Sequence, residues 1–124
     1  MRKLYRFGKV SIEADAGGHE IMPVPRERDI EKHLVKRVKA LGGEVRKVQW
    51  IGRRGAPDRL VMLPPLEHNS KNFKWRKPRD CWVELKAPGV KPEAYQLREH
   101  ERMRKMGQRV VVIDSIEGVE ELLS

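Results

Sequence analysis

Cysteine and long apolar runs are scarce in this chain of 124 residues. A single cysteine, Cys81, excludes an internal disulfide and a zinc site built from several cysteines, and it suits a reducing compartment. No apolar run approaches the roughly 18 residues of a membrane-spanning helix, and residues 1–20 lack the apolar core of a signal peptide. We therefore expect one cytoplasmic domain without a membrane anchor, with Cys81 as a small core residue.

Basic residues outnumber acidic residues, which leaves a strong positive charge. The chain has 27 lysines and arginines against 18 aspartates and glutamates, which gives a net charge of +9 and a pI near 10. A surplus of this size on a small domain predicts an anionic partner, with nucleic acid as the first candidate and an anionic membrane surface as the second. A soluble protein that is simply basic is the remaining alternative.

Hydrophobic periodicity predicts a mixed α/β fold. Ile30, Leu34 and Val38 form one apolar stripe, and Gly42-Gly43 ends that helix. We predict helices over residues 28–41 and 92–106, a short final helix capped by Ser115, and strands over residues 44–51, 59–63, 81–86 and 109–114. The crossover helix brings the last strand parallel to residues 81–86. The expected fold class is α/β, with a central mixed sheet flanked by helices in the order α-β-β-β-α-β-α.

Three segments carry further structural expectations within one domain over residues 1–124. Residues 1–27 hold β-compatible residues and a Gly17-Gly18 turn signal, so we predict an N-terminal hairpin of two short strands, a candidate for packing on a second subunit. Residues 64–80 form a basic insertion in the 28–123 core, either a long loop or an extended hairpin. The run VVVI within residues 109–114 is typical of a strand buried on both faces.

Residues 82–86, with the sequence WVELK, carry the chemical signal around which the chain is organised. Side chains alternate along a strand, so Glu84 and Lys86 project from one face while Val83 and Leu85 enter the opposite layer. Asp58 stands at the head of a neighbouring predicted strand. Each motif alone has an ordinary explanation, a surface ion pair or a turn aspartate. Together, in a chain of this charge, they predict a divalent-metal site with an amine beside it.

Mg²⁺ prefers hard oxygen ligands and keeps several waters, so Asp58, Glu84 and the backbone carbonyl of Leu85 suffice to hold it. A metal there neutralises phosphodiester charge and activates a water. The role of Lys86 stays open between orienting or deprotonating that water and stabilising the transition state.

Two flanking helices supply supporting candidates. Glu31 approaches the site as an outer-sphere or second-metal ligand, and Glu27, one turn earlier, is its alternative. Either glutamate has an ordinary ion pair with a basic residue as its simpler explanation. Gln96 faces inward from the following helix and is placed to hold the water or Lys86 by hydrogen bonds. We treat His100 as an ordinary helix histidine.

Basic residues predict where a polyanion binds. Arg53 and Arg54 stand near Asp58 in sequence and are the better candidates for phosphate contact. A basic-aromatic segment over residues 71–79 is the second candidate, with a solvated loop as its alternative. Its candidate contact residues are Lys71, Lys74, Trp75, Arg76 and Lys77.

At these positions the sequence resembles a known family. The residues concerned are GRRGAPDR at 52–59, VELKAPG at 83–89, Gln96, and Gly107 ahead of a valine-rich strand. This pattern is similar to the VRR-NUC family, the virus-type replication-repair nucleases of the PD-(D/E)XK superfamily. The resemblance covers residues 28–123 and leaves out the N-terminal extension and the 64–80 insertion.

The resemblance implies a restriction-endonuclease-like core and Mg²⁺- or Mn²⁺-dependent cleavage of DNA. It implies active-site roles for Asp58, Glu84, Lys86, Glu31 and Gln96. Stand-alone members, often encoded by phages and bacteria, resemble Holliday-junction resolvases in acting as homodimers on branched DNA. A phage-encoded member would act in the host cytoplasm. The alternatives are a flap or duplex nuclease with the same core and a non-catalytic nucleic-acid-binding module.

Overall fold

The computed structural model describes residues 3–7, 10–14 and 20–124, with side chains from residue 24 onward. The helices are α1 (Glu27–Ala40), α2 (Ala94–Lys105) and α3 (Ile116–Leu123). The strands are β1 (Lys3–Phe7), β2 (Val10–Ala14), β3 (Glu20–Val24), β4 (Glu44–Lys47), β5 (Arg59–Met62), β6 (Leu66–Asn69), β7 (Lys74–Lys77), β8 (Cys81–Leu85) and β9 (Val110–Ile113). No helix in this part of the chain is both long and apolar enough to cross a membrane.

The central sheet has four strands in the order β4-β5-β8-β9. The first three are antiparallel neighbours, and β9 lies parallel to β8 after the crossover through α2. This mixed sheet with flanking helices confirms the predicted α/β class.

The main hydrophobic core lies between this sheet and helices α1 and α3. Ile30, Leu34 and Val38 are fully buried and join Val61 and Val83 in one cluster. Burial of each such side chain stabilises the fold by roughly 1.5–3 kcal/mol. The apolar stripe of α1 is therefore what fixes this helix on the sheet.

The end of α1 is shaped by a close approach to β5. Gly42 has a φ of +83°, which a glycine adopts without strain. A Cβ at Gly43 would lie 2.2 Å from the carbonyl oxygen of Met62, so no larger residue fits there without a backbone shift. The Gly42-Gly43 pair thus ends the helix and lets the chain return directly into β4.

Several boundaries differ from the sequence prediction. The N-terminal extension is a three-stranded antiparallel sheet, β1-β2-β3, instead of a two-stranded hairpin. The Gly17-Gly18 turn lies outside the described residues. Strand β4 ends at Lys47, four residues early. Helix α2 begins at Ala94, two residues later than predicted. The backbone of Glu93 is extended, so Pro92 lies before the helix.

The prediction that the VVVI strand is buried on both faces was wrong. Val110 and Ile113 are buried, but Val111 is only half-buried and Val112 is exposed. Strand β9 lies at the edge of the sheet with β8 as its one neighbour, so the helices cover it incompletely.

The 64–80 insertion contains an antiparallel hairpin formed by β6 and β7. All eight strand residues are exposed. The turn is closed by Ser70, whose hydroxyl and backbone N–H both bond the carbonyl oxygen of Phe73, each at 2.9 Å. The hairpin joins the C-terminal end of β5 to the N-terminal start of β8, so it projects from one end of the central sheet.

Candidate active site

The pairing of β5 with β8 brings Asp58 beside Glu84. Arg59 lies opposite Val83 in this antiparallel register, and one further step places Asp58 opposite Glu84 on the same face. The Asp58 side chain is half-exposed, whereas that of Glu84 is only 11% exposed. The sheet thus presents one open and one enclosed carboxylate at the same end.

Glu84 has an unusual titration. Burial raises the pKa of Glu84 to about 7; Lys86 opposes the rise, and the charges of Asp58 and Glu27 add to it. The buried carboxylate therefore lacks enough positive charge nearby to hold its own charge at neutral pH. A cation bound between Glu84 and Asp58 would supply that charge.

Gln96 links the glutamate to the lysine. The Lys86 ammonium donates a hydrogen bond to Gln96 Oε1 at 2.9 Å, and Gln96 Nε2 lies 3.5 Å from Glu84 Oε1. The backbone N–H of Glu93 also donates to Gln96 Oε1, at 2.8 Å. Gln96 is therefore held at the start of α2, with its amide between the two charged groups.

Arg59 connects Asp58 to helix α1. Arg59 Nη2 donates to Glu31 Oε2 at 2.8 Å, and Nη1 lies 2.9 Å from Asp58 Oδ1 as an ion pair. Burial disfavours the Arg59 charge, but the two carboxylates outweigh it and raise the pKa of Arg59. Glu31 thus reaches the site through a guanidinium, while Glu27 acts on Glu84 through its charge. Both helix carboxylates remain candidates.

Helix α2 contributes His100, which was treated from sequence as an ordinary helix histidine. His100 is fully buried, with Nε2 3.3 Å from Glu84 Oε1 and Nδ1 without a hydrogen-bond partner. Burial, followed by the charges of Arg104 and Lys86, lowers the pKa of His100. A neutral ring that donates Nε2–H to Glu84 fits these contacts. Its spacing of four residues from Gln96 was the sequence signal for a shared helix face.

The loop before Asp58 is anchored on α2. Arg53 Nε donates to the buried Glu99 at 3.0 Å, and the Arg54 guanidinium lies 4.0 Å above the Tyr95 ring. Gly55 has a φ of +88°, and a Cβ there would lie 2.9 Å from the Tyr95 carbonyl oxygen. Both predicted phosphate contacts therefore have protein partners, although about half of the Arg53 side chain stays exposed.

The backbone carbonyl of Leu85 is free of the β-ladder. The N–H groups of Trp82 and Lys86 donate to carbonyls on the β9 side, so by alternation the polar groups of Leu85 face the β5 side. The β5 ladder stops at the Arg59–Val83 pair. Continued register would place Pro57 opposite Leu85, and proline has no N–H to donate. This carbonyl is thus open to another ligand.

The donor set suits a hard cation with few protein ligands. Within the described residues, no three histidine, cysteine, aspartate or glutamate side chains converge as a metal-binding group. A metal at this site would therefore take Asp58, Glu84 and the Leu85 carbonyl, with waters in its other positions. Mg²⁺ commonly binds in this way.

A cleft of about 540 Å³ opens beside Asp58. Its lining includes Lys47, Trp50 and Arg53. The Trp50 indole donates to the carbonyl oxygen of Pro57 at 2.8 Å and tilts against Trp82 at 5.1 Å. One wall of the cleft is thus aromatic and fixed to the loop that carries Asp58.

The second basic segment lies elsewhere. Lys71, Lys74, Trp75, Arg76 and Lys77 are all exposed on the β6–β7 hairpin. The hairpin leaves the sheet at the C-terminal end of β5, whereas Asp58 precedes its N-terminal end. These ends are roughly 15 Å apart at about 3.3 Å per strand residue. The structure therefore does not bring this segment into the carboxylate cluster.

Comparison with known proteins identifies the class as a nuclease with a restriction-endonuclease-like core. No family model matches the sequence. A solved structure described as a VRR_NUC domain is 41% identical, with a TM-score of 0.63 over 78% of this chain and 92% of that chain. A phage protein named "Putative nuclease p44", from Acyrthosiphon pisum secondary endosymbiont phage 1, is 49% identical over 94 residues, which are 76% of this chain and 88% of the relative. The chain belongs to the VRR-NUC family, as its motifs predicted.

Proposed function

We propose that this chain is a Mg²⁺- or Mn²⁺-dependent endonuclease that hydrolyses phosphodiester bonds in branched DNA in the cytoplasm. The observation that carries the proposal is the connected group of Glu84, Gln96 and Lys86 beside Asp58. A binding module has no need for two carboxylates turned toward a phosphate, because they repel it. The family membership of the chain supports the same conclusion.

The metal would be held by Asp58, Glu84 and the Leu85 carbonyl. When bound, it would neutralise the charge of the scissile phosphate and lower the pKa of a water. It would also offset the burial and the repulsion by Asp58 and Glu27 that together raise the pKa of Glu84 to about 7.

Lys86 would act on the attacking water or on the phosphate oxygens. Its ammonium has three N–H donors, of which one is taken by Gln96. Gln96 fixes the direction of the other two. His100 Nε2–H, which meets the same carboxylate oxygen as Gln96 Nε2, would hold Glu84 in a single rotamer. Glu31 would position Asp58 through Arg59.

DNA would bind across both basic segments. Arg53 lines the cleft at Asp58, and Arg54 follows it over the Tyr95 ring; both would contact phosphates next to the cut. The β6–β7 hairpin would contact the DNA further along, through Lys71, Lys74, Trp75, Arg76 and Lys77. Phosphate contacts at both ends of the sheet suit a substrate longer than the site itself.

We further propose a homodimer acting on Holliday junctions. One active site cuts one strand, and symmetric resolution of a four-way junction needs two sites related by a two-fold axis. A flap or duplex nuclease with the same core is the alternative within this class.

The test uses labelled four-way junction, flap and linear duplex, each incubated in Mg²⁺, in Mn²⁺ and in EDTA. We expect the junction to be cut fastest in either metal and not in EDTA. Asp58→Ala should abolish cutting, whereas the exposed Glu117→Gln, with the same loss of negative charge, should cut like the parent protein.

The outcomes separate the alternatives. If no substrate is cut in either metal, or if Asp58→Ala cuts like the parent, the nuclease assignment of this site fails. Equal cutting of duplex and junction would leave the nuclease in place and refute the resolvase-like preference. A junction cut at one strand by a protein that sediments as a monomer would refute the dimer.

A further inference from the structure

We propose that Ile51 is an apolar wedge that enters the base stack next to the scissile phosphate and separates the bases there. This inference rests on the proposed nuclease function. The Ile51 side chain is 95% exposed, the largest exposure among the large apolar residues of the described chain. A fully exposed isoleucine lacks the stabilisation that burial of its apolar surface gives, and insertion between bases would supply it.

The segment that carries Ile51 is anchored on both sides. Before it, the Trp50 indole donates to Pro57 O at 2.8 Å, and the N–H of Val48 donates to Asp58 O at 2.8 Å. After it, Arg53 bonds the buried Glu99. Ile51 is therefore held out into solvent by contacts that its neighbours make.

These anchors also fix where the wedge acts. Two of them end on Pro57 and Asp58, so Ile51 and the candidate metal ligand belong to one bonded loop. Trp50 lines the cleft beside Asp58 immediately before Ile51. An apolar tip with an aromatic residue on one side and arginines on the other suits a base pair flanked by phosphates.

A wedge gives a physical basis for selecting branched DNA. Parting a base step in a duplex costs stacking and pairing energy, and this cost is smallest where bases are already unpaired or mismatched. DNA at a branch point would therefore admit Ile51 more readily than a continuous duplex, without any reading of sequence.

The first test measures base unstacking directly. A junction carries 2-aminopurine beside the cut position, and every protein carries Asp58→Asn to prevent cutting during the measurement. We expect fluorescence to rise on binding of the parent and Ile51→Ser to lose more than half of that rise. Val35→Ser, which removes an exposed valine from the outer face of α1, should keep it.

The second test measures cleavage by proteins with intact Asp58. Ile51→Ser should cut a fully paired junction about tenfold more slowly, as loss of roughly 1.4 kcal/mol predicts. Mismatches at the cut position should restore most of the rate, because bases that are already unpaired no longer need the wedge to separate them.

Three outcomes would overturn the wedge. The first is an unchanged fluorescence rise in Ile51→Ser, and the second is slow cutting that mismatches do not restore. The third is a parent that sediments as a dimer and an Ile51→Ser variant that sediments as a monomer, since Ile51 would then be an interface residue. If no protein cuts any DNA, the proposed nuclease function fails, while the fluorescence measurement still decides the wedge.

Discussion

Glu84 is a carboxylate whose charge is disfavoured by its surroundings in the folded protein. It is enclosed by the sheet and α2, with His100 and Gln96 on Oε1 and another carboxylate, Asp58, opposite. Polar contacts of this kind satisfy the carboxyl group without removing the cost of burying its charge. Such strain is retained where a ligand relieves it, which is the reason to place a cation here.

Glu84 should make the metal-free protein less stable as pH rises. Its pKa in the folded protein is about 7 against an ordinary 4.5, so the folded state holds this proton more tightly than the unfolded state. The contribution of Glu84 to the free energy of unfolding therefore falls as pH rises from about 4.5 to 7. Glu84→Gln removes that fall and should be more stable than the parent by about 1–3 kcal/mol at pH 8, but not at pH 4.

Urea unfolding in EDTA at these two pH values measures the difference. Glu117→Gln, an exposed glutamate in the first turn of α3, is the matched control and should show no such pH-dependent gain. Parallel stability curves for the parent and Glu84→Gln would contradict the electrostatic account of Glu84.

The sequence predicted the arrangement of side chains along the strands better than the contacts that helices make with those strands. The placement of Glu84 and Lys86 on one face followed from a two-residue alternation, which is a geometric constant of strands. Asp58 joined them because its strand was predicted to be a neighbour. The sequence did not predict the role of Arg59, because its hydrogen bond to Glu31 depends on how α1 packs on the sheet. The sequence did not predict the place of His100 in the site. Its burial and its unpaired Nδ1 depend on tertiary packing, which helical spacing does not reveal.

At the scale of elements, the β6–β7 hairpin stands apart from the core. An isolated two-stranded hairpin is marginally stable in water, and this one is exposed along both strands. His68 stacks on Trp75, which packs one face of the hairpin, but Phe73 and Trp75 remain largely exposed. Exposed aromatic and basic residues on a ribbon are suited to a nucleic-acid partner.

The hairpin should contribute to the salt dependence of DNA binding. If Lys71, Lys74 and Lys77 contact phosphates, their replacement by alanine should reduce the slope of log affinity against log salt by about 2–3. The control replaces the exposed Lys32, Lys36 and Lys39 of α1 by alanine, which removes the same charge from another surface.

Fluorescence anisotropy with a labelled duplex over a range of salt concentrations gives both slopes. The account requires the hairpin variant to lose clearly more of the slope than the α1 variant. Equal slopes for the two variants would mean that the hairpin contributes only general charge, as the solvated-loop alternative holds.

The ends of helices and strands were predicted well only where a second signal supported the hydrophobic periodicity. Helix α1 was predicted within one residue at each end, because an apolar stripe and a double glycine mark it twice. Strand β4 was predicted too long, since the apolar residues after Lys47 serve the loop and cleft instead of the sheet. The exposed Val112 shows that an apolar run does not reveal whether its strand is at an edge.

At the scale of the whole molecule, the two ends of the central sheet carry different groups. One end carries the carboxylates, the lysine and the anchored loop, and the other end carries the basic hairpin. A net charge of +9 draws DNA to the whole surface, while the carboxylates at the site repel it locally. In the proposed reaction the site would therefore need a cation to accept the phosphate.

Titration of Mn²⁺ into the DNA-free protein tests that claim most directly. Calorimetry should show binding by the parent and by Glu117→Gln. Asp58→Asn and Glu84→Gln should each weaken it by more than the roughly 10- to 100-fold that loss of an outer-shell partner costs. Equal Mn²⁺ affinity in all four proteins would show that Asp58 and Glu84 do not form a metal site.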